Sequence, residues 1–244
     1  MKDAVYSRYG PIAVLYEDNH LLAAVKPPNL PSQSDLSGDE DMLTLLKGYI
    51  AKKYAKAGEA YLGLVHRLDR PVGGVMVFAR TSKAAARLSA QFAAHTNEKK
   101  YLAVIEGVLE QETRMEDWLL AKQGVNVRRV TQDVPGAKYA ALTSTPLCVR
   151  EGLTLALVTL ETGRKHQIRA QHAFCGLPLW GDNRYGHGRP GMQIALWAHT
   201  LTVAHPVKRE NVMFSCLPPI KGPWAKFEDA LLRLQADETT QNGK

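Results

Sequence analysis

The chain is poor in cysteine. Three occur in 244 residues, Cys148, Cys175 and Cys216, and none sits in a Cys-x-x-Cys pair. An odd and sparse set makes no disulfide framework, so free thiols in a reducing compartment are expected. No apolar run approaches the roughly eighteen residues of a membrane span, and Met1-Lys2-Asp3-Ala4-Val5 lacks the apolar stretch of a secretory signal. A cytoplasmic location is the expectation. The eight histidines form no His-x-x-x-His pair and no Cys/His set at ligand spacing, so no metal is expected. No glycine-rich phosphate loop follows a strand, which leaves a nucleotide cofactor without support, and there is no Gly-x-Ser-x-Gly elbow. Internal repeats and low-complexity tracts are missing too.

What the chain has is positive charge and two motif-dense stretches. Lys and Arg number 31 against 24 Asp and Glu, a net charge of +7 with a pI near 9.3, which suits a polyanionic partner. The first stretch is His66-Arg67-Leu68-Asp69-Arg70-Pro71-Val72-Gly73-Gly74. It lies between apolar runs at 61–65 and 75–79 that have the length and residue types of buried strands. Pro71 restricts the backbone, while Gly73 and Gly74 permit angles or close approaches closed to other residues. A rigid loop presenting one carboxylate, Asp69, among arginines is expected.

Around that loop the pattern alternates hairpins with single helices. Runs at 12–16 and 21–25 read as a hairpin that ends in Lys26-Pro27-Pro28, with a polar loop at 32–41 after it. Residues 42–56 have helical spacing through Met42, Leu45, Leu46, Tyr49 and Ile50, with Asp39 or Asp41 as cap. Thr81 starts a second helix with Ala84, Leu88 and Phe92 inward. A strand is expected at 101–107 and a hairpin from 138–149 and 153–160, whereas 112–134 carries no clear element beyond exposed Arg128 and Arg129. Strands at 194–203 and 212–216 and an amphipathic helix at 224–234 complete the pattern. Such an order without regular strand-helix-strand repeats predicts an α+β fold with a mixed, mainly antiparallel sheet and flanking helices. One domain over residues 1–244 is expected, its core at about 12–234 and its polar tail 236–244 disordered.

The second stretch is Leu160-Glu161-Thr162-Gly163-Arg164-Lys165-His166-Gln167-Ile168-Arg169. A strand ends at Thr162-Gly163 and a helix is expected from about 165 to 174. Ile168 and His172 share one side of it, Arg169 and Ala173 an adjacent one. A helical arginine near the core needs a carboxylate partner.

These stretches resemble segments of the RluA-type pseudouridine synthases. The first resembles their His-Arg-Leu-Asp-x-x-(Thr/Val)-(Ser/Gly)-Gly segment, with Val72-Gly73-Gly74 where the family usually has Thr-Ser-Gly. The second resembles their Thr-Gly-Arg-x-His-Gln-Ile/Leu-Arg motif. Lys99-Lys100-Tyr101 before an apolar run resembles a third segment, and Gly176-Leu177-Pro178-Leu179-Trp180-Gly181-Asp182-Asn183-Arg184-Tyr185-Gly186 a Gly-x-Pro-x-x-Gly-Asp-x-x-Tyr-Gly loop that braces the active-site helix. The resemblance runs from about residue 12 to 216. It implies a bent sheet with a central catalytic cleft, Asp69 as the catalytic residue, Tyr101 stacked on the target base, and Arg169 paired with Asp69. It also implies that Arg67 enters the space left by the flipped base. Members often carry an S4-like RNA-binding domain, for which residues before the first hairpin leave no room here.

One carboxylate, one tyrosine and several arginines are sparse for hydrolysis, which calls for a second acid or a metal to activate water. They fit an isomerisation that detaches uracil from ribose, turns it and reattaches it through carbon. That reaction consumes no water and needs no cofactor. Asp69 would act as a nucleophile at the anomeric carbon or as a base at C2′, and the sequence does not choose. The expected partner is an rRNA or tRNA stem-loop, met by a monomer through Arg67, Arg70, Arg164, Lys165 and Arg184. The other reading is a catalytically silent RNA-binding or ribosome-assembly module on the same scaffold. Retention of Asp69, Tyr101 and Arg169 together favours the enzyme.

Overall fold

The structure, a computed structural model, describes residues 5–122 and 124–242. The chain divides into two compact units. The first holds the residues up to Lys99 together with Ala198–Cys216, and the second holds Lys100–Trp197 and the residues from Leu217 on.

In the first unit β1 (Val5–Ser7) pairs with β2 (Gly10–Ile12), and β3 (Val14–Glu17) with β4 (Leu21–Lys26), each pair antiparallel. The β3–β4 turn is fixed by Asp18, whose Oδ1 accepts the N–H groups of His20 and Leu21, both at 2.8 Å. Helix α1 (Met42–Lys53) is capped by Asp41, which accepts the Thr44 N–H at 3.0 Å. It stops short of the expected residue 56, because Tyr54 leaves the helix and Ala55 turns left-handed at φ 48°. The short β5 (Gly63–Leu64) and the long β6 (Gly73–Ala79) flank the Asp69 loop, and α2 (Ser82–Ala93) starts from the expected Thr81 cap.

Strand β7 (Glu98–Glu106) leads into the second unit. There β8 (Thr113–Leu120), β9 (Arg128–Val130), β10 (Lys138–Arg150) and β11 (Leu153–Leu160) form antiparallel pairs, followed by α3 (Gln167–Phe174). The β10–β11 turn is Glu151-Gly152, both at positive φ (49° and 72°), the backbone that matches strand twist in a two-residue hairpin. Strands β8 and β9 occupy the stretch that carried no sequence signal. Only Met115 and Leu119 of β8 are buried, too few for a clean alternation, and the strand is held by its register with β10, Met115 opposite Leu142. The chain then forms β12 (Leu196–Ala204) and β13 (Asn211–Ser215), an antiparallel pair, a 3-10 turn over Gly222–Phe227 and α4 (Glu228–Asn242). Helix α4 runs past the expected end at 234, since no glycine or proline interrupts it before Gly243.

Strand order is β3-β4-β6-β12 in the first unit, with β5 on β6 and β13 on β12, and β7-β11-β10-β8-β9 in the second. This is an α+β architecture with antiparallel hairpins and few helices. In the first unit Leu21, Ala23, Val75, Val77 and Ala79 form one sheet face against Ala84 and Leu88 of α2. Leu22, Ala24, Met76 and Phe78 alternate to the other face and are equally buried. Full burial of a side chain such as Leu88 contributes about 2 kcal/mol. No described helix is long and apolar enough to cross a membrane.

Candidate active site

The Asp69 loop is held through its backbone. The Val72 N–H bonds the Asp69 carbonyl at 3.0 Å and closes a turn over Arg70-Pro71. Before it, Leu68 is buried and exchanges two bonds with buried Ser32: the Leu68 N–H donates to Ser32 Oγ at 3.2 Å, and the Ser32 hydroxyl donates to the Leu68 carbonyl at 2.9 Å. After it, the Arg70 carbonyl accepts from the Asn29 N–H at 2.8 Å and from Lys26 Nζ at 3.1 Å. Lys26 is fully buried and also donates to the carbonyls of Leu30 at 2.7 Å and Pro27 at 3.3 Å. Burial pushes the Lys26 ammonium down to about 7, against the pull of the Asp69 charge. Its three carbonyl acceptors match the three N–H donors of the charged form. At the exit, Gly74 has φ 124°, and a Cβ there would lie 2.2 Å from the Ala198 carbonyl oxygen, so only glycine fits. His66 at the entry stacks on Phe92 (centroids 4.5 Å apart) and accepts the Val77 N–H on Nε2 at 2.9 Å.

In the second unit the 160–169 motif builds the start of α3. Gln167 Oε1 accepts from the Thr162 hydroxyl at 2.7 Å and from the Arg164 N–H at 2.9 Å, while its amide donates to the Ala141 carbonyl at 3.0 Å. His166 falls outside the helix in a left-handed conformation, φ 51°, so the helix starts at Gln167, two residues later than expected. The helix is not amphipathic in the simple sense. Ile168, Arg169, Ala170, Gln171 and His172 are all buried; the polar ones are hydrogen-bonded, except that Gln171 Oε1 has no partner. Gln171 donates to Asp117 Oδ2 at 2.8 Å, and His172 lies between the Ile168 carbonyl (2.8 Å) and Ser144 (3.1 Å).

Arg169 is held by Asp182, a carboxylate of the 176–186 loop that the resemblance implies braces this helix. Its Nε and NH2 groups donate to the two oxygens of Asp182, each at 2.7 Å, with side chains 6% and 0% exposed. Asp182 Oδ1 also accepts the N–H groups of Arg184 at 2.9 Å and Tyr185 at 3.1 Å. Burial raises the Asp182 pKa, but Arg169 and these N–H groups outweigh it, and the net shift is downward. The guanidinium lies 5.4 Å from the centre of the Tyr185 ring, whose hydroxyl accepts the Val127 N–H at 2.8 Å and meets His166 Nδ1 at 2.9 Å. Sequence signal for this pair existed only as the turn-rich loop around Asp182; the distance between the two was not in it.

The remaining expected residues divide by exposure. Arg67, Lys165 and Arg184 are exposed, and Asp69 and Tyr101, on β7, are partly buried. Arg164 donates Nε to the Tyr139 carbonyl at 2.7 Å. Arg70 is tied down: it donates to the Asn29 carbonyl at 3.2 Å, to Tyr9 at 3.2 Å and to Ser37 at 3.1 Å, and pairs with Asp39. Its first structural role is to anchor the 29–39 loop to the Asp69 turn. Among the described residues no group of three or more His, Cys, Asp and Glu side chains converges to hold a metal.

The sequence profile described as RNA pseudouridylate synthase matches residues 20–174. The chain is 31% identical over 225 residues to the ribosomal large subunit pseudouridine synthase D of Zymomonas mobilis, covering 86% of this chain and 70% of that one. It is 29% identical over 224 residues to the tRNA pseudouridine synthase C of Pasteurella multocida, covering 82% and 89%. Among solved structures, human RNA Pseudouridylate Synthase Domain Containing 4 shares the fold, with a TM-score of 0.70 at 22% identity over 91% of this chain and 93% of that one. The chain belongs to the RNA pseudouridylate synthase family and is an enzyme of that class, an isomerase.

Proposed function

We propose that this enzyme converts uridine to pseudouridine in rRNA or tRNA, as a monomer in the cytoplasm, with Asp69 as the reacting carboxylate. The observation that carries the assignment is the Asp69 turn. Its backbone is fixed on both sides by buried groups, Ser32 and Lys26, so the one carboxylate of the motif is carried on a rigid main chain. Tyr101 stacks on the uracil and helps move the proton released from C5. Arg169 pairs with Asp69 and favours its ionised form. This pairing is proposed from the two motifs, and Asp69 and Arg169 belong to different units of the chain.

The balance of the reaction requires nothing else. The N1–C1′ bond breaks, the uracil turns, a C5–C1′ bond forms, and the proton on C5 is replaced by one on N1. Either route, carboxylate attack at C1′ or proton abstraction at C2′, needs an ionised Asp69. The target must leave its stack, at a cost of a few kcal/mol. Arg67 fills the vacated space, and Arg70, Arg164, Lys165 and Arg184 bind the surrounding phosphates. The net charge of +7 supports a polyanionic substrate.

Asp69→Asn is the deciding variant. The amide keeps the shape but neither attacks carbon nor takes a proton. Tritium release from RNA labelled at C5 of uridine should fall to background while folding and RNA binding persist. Turnover within about tenfold of the unaltered enzyme, about 1.4 kcal/mol in barrier, would overturn the assignment.

A further inference from the structure

We propose that Asp182 is a positioning residue for the reaction, setting the direction of the Arg169 guanidinium through a buried two-point clamp. The inference rests on the reading above, in which Arg169 serves the reacting carboxylate.

A guanidinium has five N–H donors in one plane. Asp182 takes one from Nε and one from NH2, each at 2.7 Å. Two parallel bonds fix both the plane of the group and its rotation within that plane, which a single contact would not do. The direction of NH1 follows from that. The clamp itself cannot swing, because Asp182 Oδ1 is bonded to the Arg184 and Tyr185 N–H groups of its own loop. That loop is closed in turn by the Asp182 N–H to the Leu179 carbonyl at 3.1 Å and by Gly186 and Gly188 N–H groups to the Asp182 carbonyl at 3.0 and 3.1 Å.

The Tyr185 ring limits movement out of the plane. It sits 5.4 Å from the guanidinium carbon and is itself held at its hydroxyl by Val127 and His166. Net stability is a weak reason for such an arrangement. A buried ion pair contributes little more than an apolar pair of the same volume, and fixed orientation is what the apolar pair lacks. A misplacement of about 1 Å in a reacting geometry costs on the order of 100-fold in rate.

The test is a double-mutant cycle on the full-length enzyme. The probe is a set of tRNA and rRNA stem-loop transcripts tritiated at C5 of uridine, assayed under single-turnover conditions. Asp182→Asn should lower the maximal rate on the order of 100-fold without changing the enzyme concentration that gives half-maximal rate. In an Arg169→Gln background the same substitution should have no further effect, since Asp182 acts only through Arg169. Arg169→Gln/Asp182→Asn leaves a neutral amide pair and no stranded charge, so if Asp182→Asn alone does not fold, the comparison of this double variant with Arg169→Gln still decides: equal rates support the inference, and a further loss overturns it. The inference is overturned if Asp182→Asn leaves the rate unchanged, or if it slows both backgrounds by the same factor. An active Asp69→Asn protein would remove the reading of the site, and this inference with it. An inactive Asp69→Asn beside an unimpaired Asp182→Asn would remove this inference alone.

Discussion

Asp69 and Arg169 are immobilised by opposite means. The Asp69 loop is held at its main chain: Ser32 brackets Leu68, Lys26 and Asn29 take the Arg70 carbonyl, and Gly74 leaves no space for a side chain. Arg169 is held at its side chain, by a carboxylate and an aromatic ring from a loop more than ten residues downstream. The difference follows from length. A carboxylate on one methylene has only two side-chain torsions, so a fixed backbone leaves it few directions. An arginine has four side-chain torsions, so a fixed helix leaves its head free to wander unless partners hold it. Short catalytic groups need a rigid loop, and long ones need a rigid neighbour.

Acid should strain both regions, through one histidine in each. His66 precedes the Asp69 loop, and burial pushes its pKa down to about 3; its Nε2 is already committed to the Val77 N–H. Burial pushes His172 on α3 down to about 4, partly offset by its bond to Ile168. Both are depressed relative to the unfolded chain, which takes up the protons first as pH falls. Stability is therefore full above about pH 6.5 and should fall below it by about 1.4 kcal/mol per pH unit for each histidine, the His172 share ending near pH 4. Urea denaturation across this range checks the slope, and His172→Gln should halve it between pH 6.5 and 4. An unchanged slope in that variant would exclude the second region as an acid-sensitive element.

Lys26→Met sharpens the comparison from the side of the Asp69 loop. Methionine keeps the length and the burial but leaves the Pro27, Leu30 and Arg70 carbonyls without their shared donor. A loss of about 3 kcal/mol in denaturant unfolding is expected. A loss below about 1 kcal/mol would mean that the turn stands without this clamp.

The smallest effect should come from Arg184→Ala. The Arg184 side chain is exposed, and the N–H that it gives to Asp182 belongs to the backbone and survives the change. RNA binding should weaken, with the salt slope reduced by about one unit, while the maximal rate holds. Unchanged affinity and slope would remove Arg184 from the RNA-binding set.

Much of this protein is written locally. The hairpins at β3–β4 and β10–β11 follow from paired apolar runs with short turns, and Asp41 and Thr81 mark the starts of α1 and α2 as side chains that accept from the next turn. The two motifs, with Asp69 and Arg169 in them, are equally local strings, and they carry the family. The strands β8 and β9 were hidden because their apolar residues are few and their stability comes from pairing with β10 and with each other. Helix α3 misled in another way: helical periodicity predicts one buried side, that of Ile168 and His172, but Arg169 and Gln171 are buried on others because Asp182 and Asp117 meet them there.

By itself, then, the sequence determined the elements whose causes lie within a few residues, and the identities of the reacting side chains. Only the tertiary structure decided which groups hold them: Lys26 and Ser32 behind Asp69, Asp182 and Tyr185 around Arg169. The physical reason is range. Capping, turns and periodicity act between neighbours along the chain, whereas a buried charge is satisfied by whichever partner folding brings within about 3 Å, at any separation in sequence.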